Sequence, residues 1–231
     1  MPSHVSVVIP ALNEAESIGS VVSSMPWGQI AECIVVDNGS TDNTEEIAAT
    51  AGARVIKSPR GYGAAMRAGT DAALASSTII VCMDGDGSDC IEDMQCLIGP
   101  IERGEADFVI GSRTRGRRDP GSMLMSQVFA AFLMGWLTKI FYGFRYTDMG
   151  PFRAIRRSSL EQMAMTEMTY GWNLEMQLRA ITLGLRIREI PVNYKQRIGG
   201  ESKVSGNLKA SVEAGRRIIG IFMRVRSRDK H

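Results

Sequence analysis

The chain has 231 residues, is 44% hydrophobic and 23% charged, and carries a formal net charge of +2. That suits one α/β domain or two small ones with a sizeable core, and the bulk charge gives no case for nucleic acid. The only histidines, His4 and His231, sit at the two ends, which excludes Ser-His-Asp, Cys-His and HExxH zinc chemistry; Cys33, Cys82, Cys90 and Cys96 form no CxxC pair and read as structural thiols of a reducing cytoplasm.

Val5 to Pro10 predicts a first strand. Asn13, with Glu16 three residues on, has the capping-box pattern of a helix running to about Met25. Cys33 to Val36 is a second strand, ending at Asp37-Asn38-Gly39-Ser40, and Asp42 with Glu45 repeats the capping pattern before a helix to about Thr50. Arg54 to Ile56 predicts a third strand, Gly63 to Ser76 an Ala-rich helix, and Thr78 to Met83 a fourth strand that stops at Asp84-Gly85-Asp86. A helix from about Ile91 leads to a fifth strand, Asp107 to Ile110.

After Gly111 the character changes. A loop from Ser112 to Gly121 carries Arg113, Arg115, Arg117 and Arg118. The apolar stretch 123–142 has membrane-spanning length but contains Gln127 and Lys139, so buried, interfacial and spanning helices are all weighed. A strand (Phe152 to Ile155), a helix (Trp172 to Leu183) and a long strand (Leu185 to Tyr194) follow, then a polar Gly-rich segment, Arg197 to Gly206. The basic tail places Ile218, Ile219, Ile221 and Phe222 among Lys209, Arg216, Arg217, Arg224, Arg226 and Arg228, which suits a helix on an anionic membrane or one packed on its own domain. No signal peptide, repeat or long linker is evident. The expectation is one domain over residues 1–231, with a nucleotide-side half (1–111) and an acceptor-side half (112–231).

Alternating strands and helices at this spacing predict a largely parallel sheet covered on both faces. Crossovers bring the carboxyl ends of parallel strands to one edge, where ligands bind. Asp37 and Asp84 are therefore expected in one crevice. Asp84-Gly85-Asp86 at a strand end suits a divalent cation that also takes substrate phosphates; the plain alternative is a solvated acidic turn. The segment from Arg60 to Gly69, RGYGAAMRAG, fits a dinucleotide fingerprint poorly, since Met66 stands at the third glycine position, and there is no P-loop. The arginine cluster suits bidentate phosphate contacts, an anionic lipid surface, or simply solvent.

Taken in order, these motifs resemble family-2 glycosyltransferases of the GT-A fold, an α/β/α three-layer, Rossmann-like sandwich, and most closely the polyprenol-phosphate branch that includes dolichyl-phosphate mannose synthases. VVIPALNEAESI, IVVDNGSTDNT, GYGAAMRAG, DGDG, GSRTRG, YTDMGPFRAIRR, WNLEMQLRA, IREIPVNYKQR and GGESKVSG carry the likeness. Asn38 stands where the family pattern has a second Asp, and Tyr62 where Lys is common.

The resemblance implies an inverting transfer from a UDP- or GDP-sugar. Pro10, Asn13, Glu14 and Asp37 would line the base and ribose pocket, with Gly61 and Gly63 on the same substrate-binding side. Asp84 and Asp86 would hold Mg2+ or Mn2+, completed by Ser88 or Asp89. Arg113 and Arg197 would contact phosphates, with Lys203 on the same loop and Asp148 beside the substrate. The acidic base used on hydroxyl acceptors would fall at Trp172-Asn173, where no acid stands. A phosphate acceptor needs no base, so the expected acceptor is polyprenyl phosphate, at the cytoplasmic face of the membrane. A hydroxyl acceptor served by Asp148 or Glu175, a nucleotidyltransferase, and a lapsed nucleotide-sugar-binding module are the competing readings. The sugar, the base and the oligomeric state stay open.

Overall fold

The computed structural model describes residues 4–199 and 220–225. Lys203 and most of the expected tail helix lie outside these residues. Seven strands form one sheet: β1 (Val5–Ala11), β2 (Glu32–Asp37), β3 (Arg54–Lys57), β4 (Ile79–Cys82), β5 (Phe108–Ser112), β6 (Arg153–Arg156) and β7 (Ile187–Pro191), in the order β3-β2-β1-β4-β6-β5-β7. All pairings are parallel except those of β6, which runs antiparallel to β4 and β5.

The apolar runs read as strands because alternate residues feed two different cores. Val7, Ile9, Cys33, Val35 and Val81 face one way, against α1 (Ile18–Ser23), α2 (Thr44–Thr50) and α4 (Met94–Glu102). Val8, Ile34, Val36, Ile80 and Cys82 face the other, against α3 (Tyr62–Ala72), α6 (Arg157–Met163) and α7 (Trp172–Thr182). The result is the expected three-layer sandwich. A further helix, α5 (Met125–Tyr142), occupies the apolar stretch and packs on α7 through Met134, Leu174 and Leu178. Among the described residues no helix is long and apolar enough to cross a membrane.

Three expectations need correction. Asn13 does not cap a helix: its φ is +54° and its side chain accepts from Thr41 N across the crevice, while α1 begins at Ile18. Asp42 is not the cap of α2, which starts after Asn43; its carboxylate instead joins two loops, accepting from Ala15 N and Thr44 N. The long strand from Leu185 stops at Pro191, and Tyr194 forms separate bridges to Asp89 and Arg118.

At the amino ends of β5 and β7, Asp107 collects Arg186 (2.6 and 2.8 Å) and Arg156 (3.4 Å). The Arg186 hydrogen bonds hold its carboxyl down, at about 2. A depressed carboxyl contributes stability that is full above its unfolded value near 4 and is lost as pH falls toward 2. Asp107→Asn is thus expected to cost about 1 kcal/mol at pH 6, with wild-type and variant urea unfolding curves converging near pH 2.

Candidate active site

The carboxyl ends of β1, β2 and β4 lie side by side, so the loops after Ala11, Asp37 and Cys82 share one crevice. The loops are tied to one another through polar bonds. Asn13 N donates to Ser40 Oγ (3.0 Å), Glu14 N to Thr44 Oγ1 (2.8 Å), and Ser17 Oγ to the Gly85 carbonyl (2.8 Å). Asp37 is buried and accepts from Ser40 N at 3.1 Å. Pro10, Asn13, Glu14 and Asp37 are thus brought together with Asp84 and Asp86, as expected for one binding crevice.

The loop after β4 gathers three carboxylates. Asp86 Oδ1 accepts from Ser88 N (2.9 Å), and its Oδ2 pairs with Arg197 at 3.0 Å. Asp89 Oδ2 accepts from Asp84 N at 3.1 Å, while Asp89 Oδ1 is buried with no hydrogen-bond partner among the described residues. Burial, reinforced by Asp86, raises the Asp84 carboxyl to about 7; burial and then Asp84 push Asp89 well above the carboxylate range. This is a locus of crowded negative charge, the environment a cation relieves. Among the described residues no group of three or more His, Cys, Asp or Glu is placed to hold a metal ion. Asp84 and Asp86 offer two carboxylates, of the kind that a hard cation takes together with phosphate oxygens. Asp89 is already engaged with Asp84 N, and Ser88 contributes its backbone to Asp86.

A strap from Tyr194 to Gly199 closes over this loop. Lys195 N donates to Ser88 O (2.9 Å) and Ile198 N to Asp86 O (3.0 Å). The same strap reaches the arginine loop, where Tyr194 N donates to Arg117 O and Gln196 N to Asp119. The strap thereby sets Arg197 against the acidic loop, where it pairs with Asp86.

Arg113 and Asp148 are placed differently from the expectation. Asp148 is fully buried, and Arg113 grips it through Nε (2.8 Å), Nη2 (2.9 Å) and its backbone N (2.8 Å). Arg113 also lies over the Tyr194 ring, 5.0 Å from its centroid. It acts on the acidic loop by its charge, lowering Asp84 and Asp89 against burial, rather than as a free phosphate fork. Arg115, Arg117 and Arg118 are the exposed cations of the loop.

Gly61 and Gly63 also answer to a neighbour within the fold. A Cβ at Gly63 would lie 2.2 Å from Glu167 O, and one at Gly61, whose φ is +141°, 2.5 Å from Met168 O. Both glycines let the 167–168 backbone approach α3, where Ala64 N donates to Met168 O. The reading of the sequence missed Tyr194 as the residue that bridges the two charged loops; its only signal was an aromatic in a polar run.

A mostly parallel sheet covered on both faces, with paired carboxylates where β4 ends, is the architecture of a GT-A glycosyltransferase. The chain belongs to glycosyl transferase family 2, whose model matches residues 6–164. It is 38% identical over 213 residues to an uncharacterised glycosyltransferase of Mycobacterium tuberculosis, covering 91% of this chain and 94% of that protein. It is 31% identical over 227 residues to the undecaprenyl-phosphate mannosyltransferase of Micrococcus luteus, covering 89% of each. Among solved structures it resembles glucosyl-3-phosphoglycerate synthase from Mycobacterium tuberculosis in complex with phosphoglyceric acid, with a TM-score of 0.72, 25% identity, and coverage of 96% of this chain and 80% of that one. The same synthase in complex with Mn2+ and UDP-glucose matches at a TM-score of 0.71 and 24% identity, over 96% and 79% of the two chains. The family and fold implied by the sequence motifs are borne out.

Proposed function

We propose that the protein is an inverting, metal-dependent transferase that moves one sugar from a UDP- or GDP-linked donor to polyprenyl phosphate at the inner face of the membrane. The observation that carries the acceptor choice is the state of the two candidate bases. Glu175 is buried and accepts from Thr166 N, Thr166 Oγ1 and Glu167 N; Asp148 is enclosed by Arg113 and Met149 N. Neither carboxylate is left to take a proton from an alcohol. An anionic acceptor arrives already deprotonated and needs positioning rather than a base.

The roles follow from charge and position. Pro10, Asn13, Glu14 and Asp37 hold the nucleoside. Asp84 and Asp86 would hold Mg2+ or Mn2+, which when bound supplies charge that neutralises the departing diphosphate. Arg197, on the strap, adds a second cation to that leaving group. Arg115, Arg117 and Arg118 attract the acceptor phosphate and fix its approach. The Mn2+ and UDP-glucose complex of the structural relative supports the donor and metal reading, and the undecaprenyl-phosphate mannosyltransferase relative supports the lipid acceptor.

The face of α5 supports a membrane location. Met125 (80%), Phe129 (66%) and Ile140 (70%) are exposed, as are Phe132, Leu133, Trp136 and Phe141. The helix contains no acid, and Arg145 stacks on Trp136 at 4.7 Å and on Phe132 at 5.6 Å. An 18-residue helix of this kind, about 27 Å long, suits lying in the headgroup plane of an anionic leaflet.

A second reading, a water-soluble phosphorylated acceptor, draws support from the phosphoglycerate complex of the structural relative. One assay separates the two. UDP- and GDP-sugars are offered with Mn2+ to undecaprenyl phosphate in anionic vesicles and, separately, to 3-phosphoglycerate in buffer. Glycolipid formation that stops with chelator is expected. Product with phosphoglycerate alone would move the acceptor to the second reading, and no product with either would leave a binding module.

A further inference from the structure

Asp84 differs from its neighbours in how it is held. Asp86 has Arg197 and Ser88 N, and Asp89 has Asp84 N. The one hydrogen bond that the Asp84 carboxylate accepts among the described residues comes from Tyr62, whose hydroxyl lies 3.4 Å from Oδ1. That hydroxyl has a second polar neighbour, the side chain of Asn173. Tyr62 and Asn173 are the positions where the sequence departs from a basic and an acidic residue, and the fold brings both departures to the same oxygen.

A third departure sets their position. Asn38 grips the peptide unit of Gly61 from both sides: Gly61 N donates to Oδ1 at 2.8 Å, and Nδ2 donates to Gly61 O at 2.7 Å. Only an amide can do both, because an aspartate would set its charge against the Gly61 carbonyl. The other side of this turn is fixed by the 167–168 backbone, on which Gly61 and Gly63 close with no room for a side chain. Tyr62, the first residue of α3, therefore enters the site from a backbone clamped on two sides.

We propose that Asn38, Gly61 and Tyr62 form a positioning unit for Asp84, with Tyr62 as the residue that holds its carboxylate in the geometry that receives the donor diphosphate. Asp84 stands in a cluster of like charges, and without a donor on Oδ1 it has every electrostatic reason to swing away from Asp86 and Asp89. A neutral hydroxyl restrains it without cancelling the charge that a cation needs. The proposal rests on the reading of Asp84 as a donor-side carboxylate.

The test is calorimetric binding of UDP and GDP, each with Mn2+ and with chelator, to wild type, Tyr62→Phe, Asn38→Asp and Asp84→Asn. Tyr62→Phe is expected to weaken Mn2+-dependent nucleotide binding about five- to tenfold, leaving binding under chelator unchanged. Transfer should fall through the donor KM and kcat, with the acceptor KM untouched. Asn38→Asp should produce the same loss, and the two changes together no more than either alone. A structural role alone would lower the melting temperature and leave the metal-dependent nucleotide affinity as in wild type, and that outcome overturns the proposal. If Asp84→Asn also binds as wild type, the donor-side reading of Asp84 fails instead.

Discussion

Asp86→Asn is expected to lower sugar transfer by about a thousandfold or more while the melting temperature stays within a few degrees of wild type. The substitution is isosteric, and an amide oxygen still accepts from Ser88 N, now at 2.9 Å from Oδ1. The fold therefore loses little. It even sheds one of three carboxylates crowded on the loop after β4, where burial and Asp86 together raise Asp84 to about 7. Transfer loses much more. Asn cannot supply the anionic oxygen that a hard cation prefers, and Arg197 loses its partner on Oδ2, 3.0 Å away. Calorimetry of nucleotide with and without Mn2+ locates the loss: metal dependence should vanish in the variant. Arg197→Ala serves as the companion, since it removes the pair and keeps the carboxylate. If Asp86→Asn keeps full activity, the metal reading of the acidic loop is wrong.

The sheet was legible because β1, β2 and β4 are near-continuous runs of Val, Ile and Cys, and such runs need covering on both faces. The convergence of Asp37 and Asp84 followed from crossover geometry alone. Helix starts were misread at Asn13 and Asp42, where the capping pattern is present but the side chains reach across the crevice to another loop; a local pattern cannot say which backbone N–H a short acceptor will find. The helix α6 went unread because Arg157-Ser158-Ser159 offers no periodic signal ahead of Leu160. The placement of Asp148 is the more telling miss. Its sequence context suggested a substrate-side acid, and only the packing of β5 beside β6 shows that Arg113 encloses it. Gly61 and Gly63 likewise looked like a ligand loop, and their glycines are explained by the 167–168 backbone, far along the chain.

Arg113→Ala is expected to destabilise the protein by about 3–5 kcal/mol and to abolish transfer. Both Asp148 oxygens depend on this arginine, Oδ2 through Nε and the backbone N and Oδ1 through Nη2. Asp148 is 0% exposed, so removal of the guanidinium leaves a buried charge with only two backbone N–H groups, those of residue 113 and Met149, to answer it. The Tyr194 ring loses its cation as well, and Tyr194 carries the bridges that join the arginine loop to the acidic loop. Arg113→Lys should recover only part of the loss, because an ammonium cannot reproduce a two-pronged contact. Arg113→Met with Asp148→Leu separates scaffold from chemistry. Replacing a buried ion pair by apolar side chains of similar size is often neutral for stability, so urea unfolding should return close to wild type. Transfer should not return, since Asp84 and Asp89 would then face one another without the Arg113 charge that lowers both. Recovery of stability and transfer together would make Arg113 a scaffold residue and leave the acidic loop to Arg197 alone.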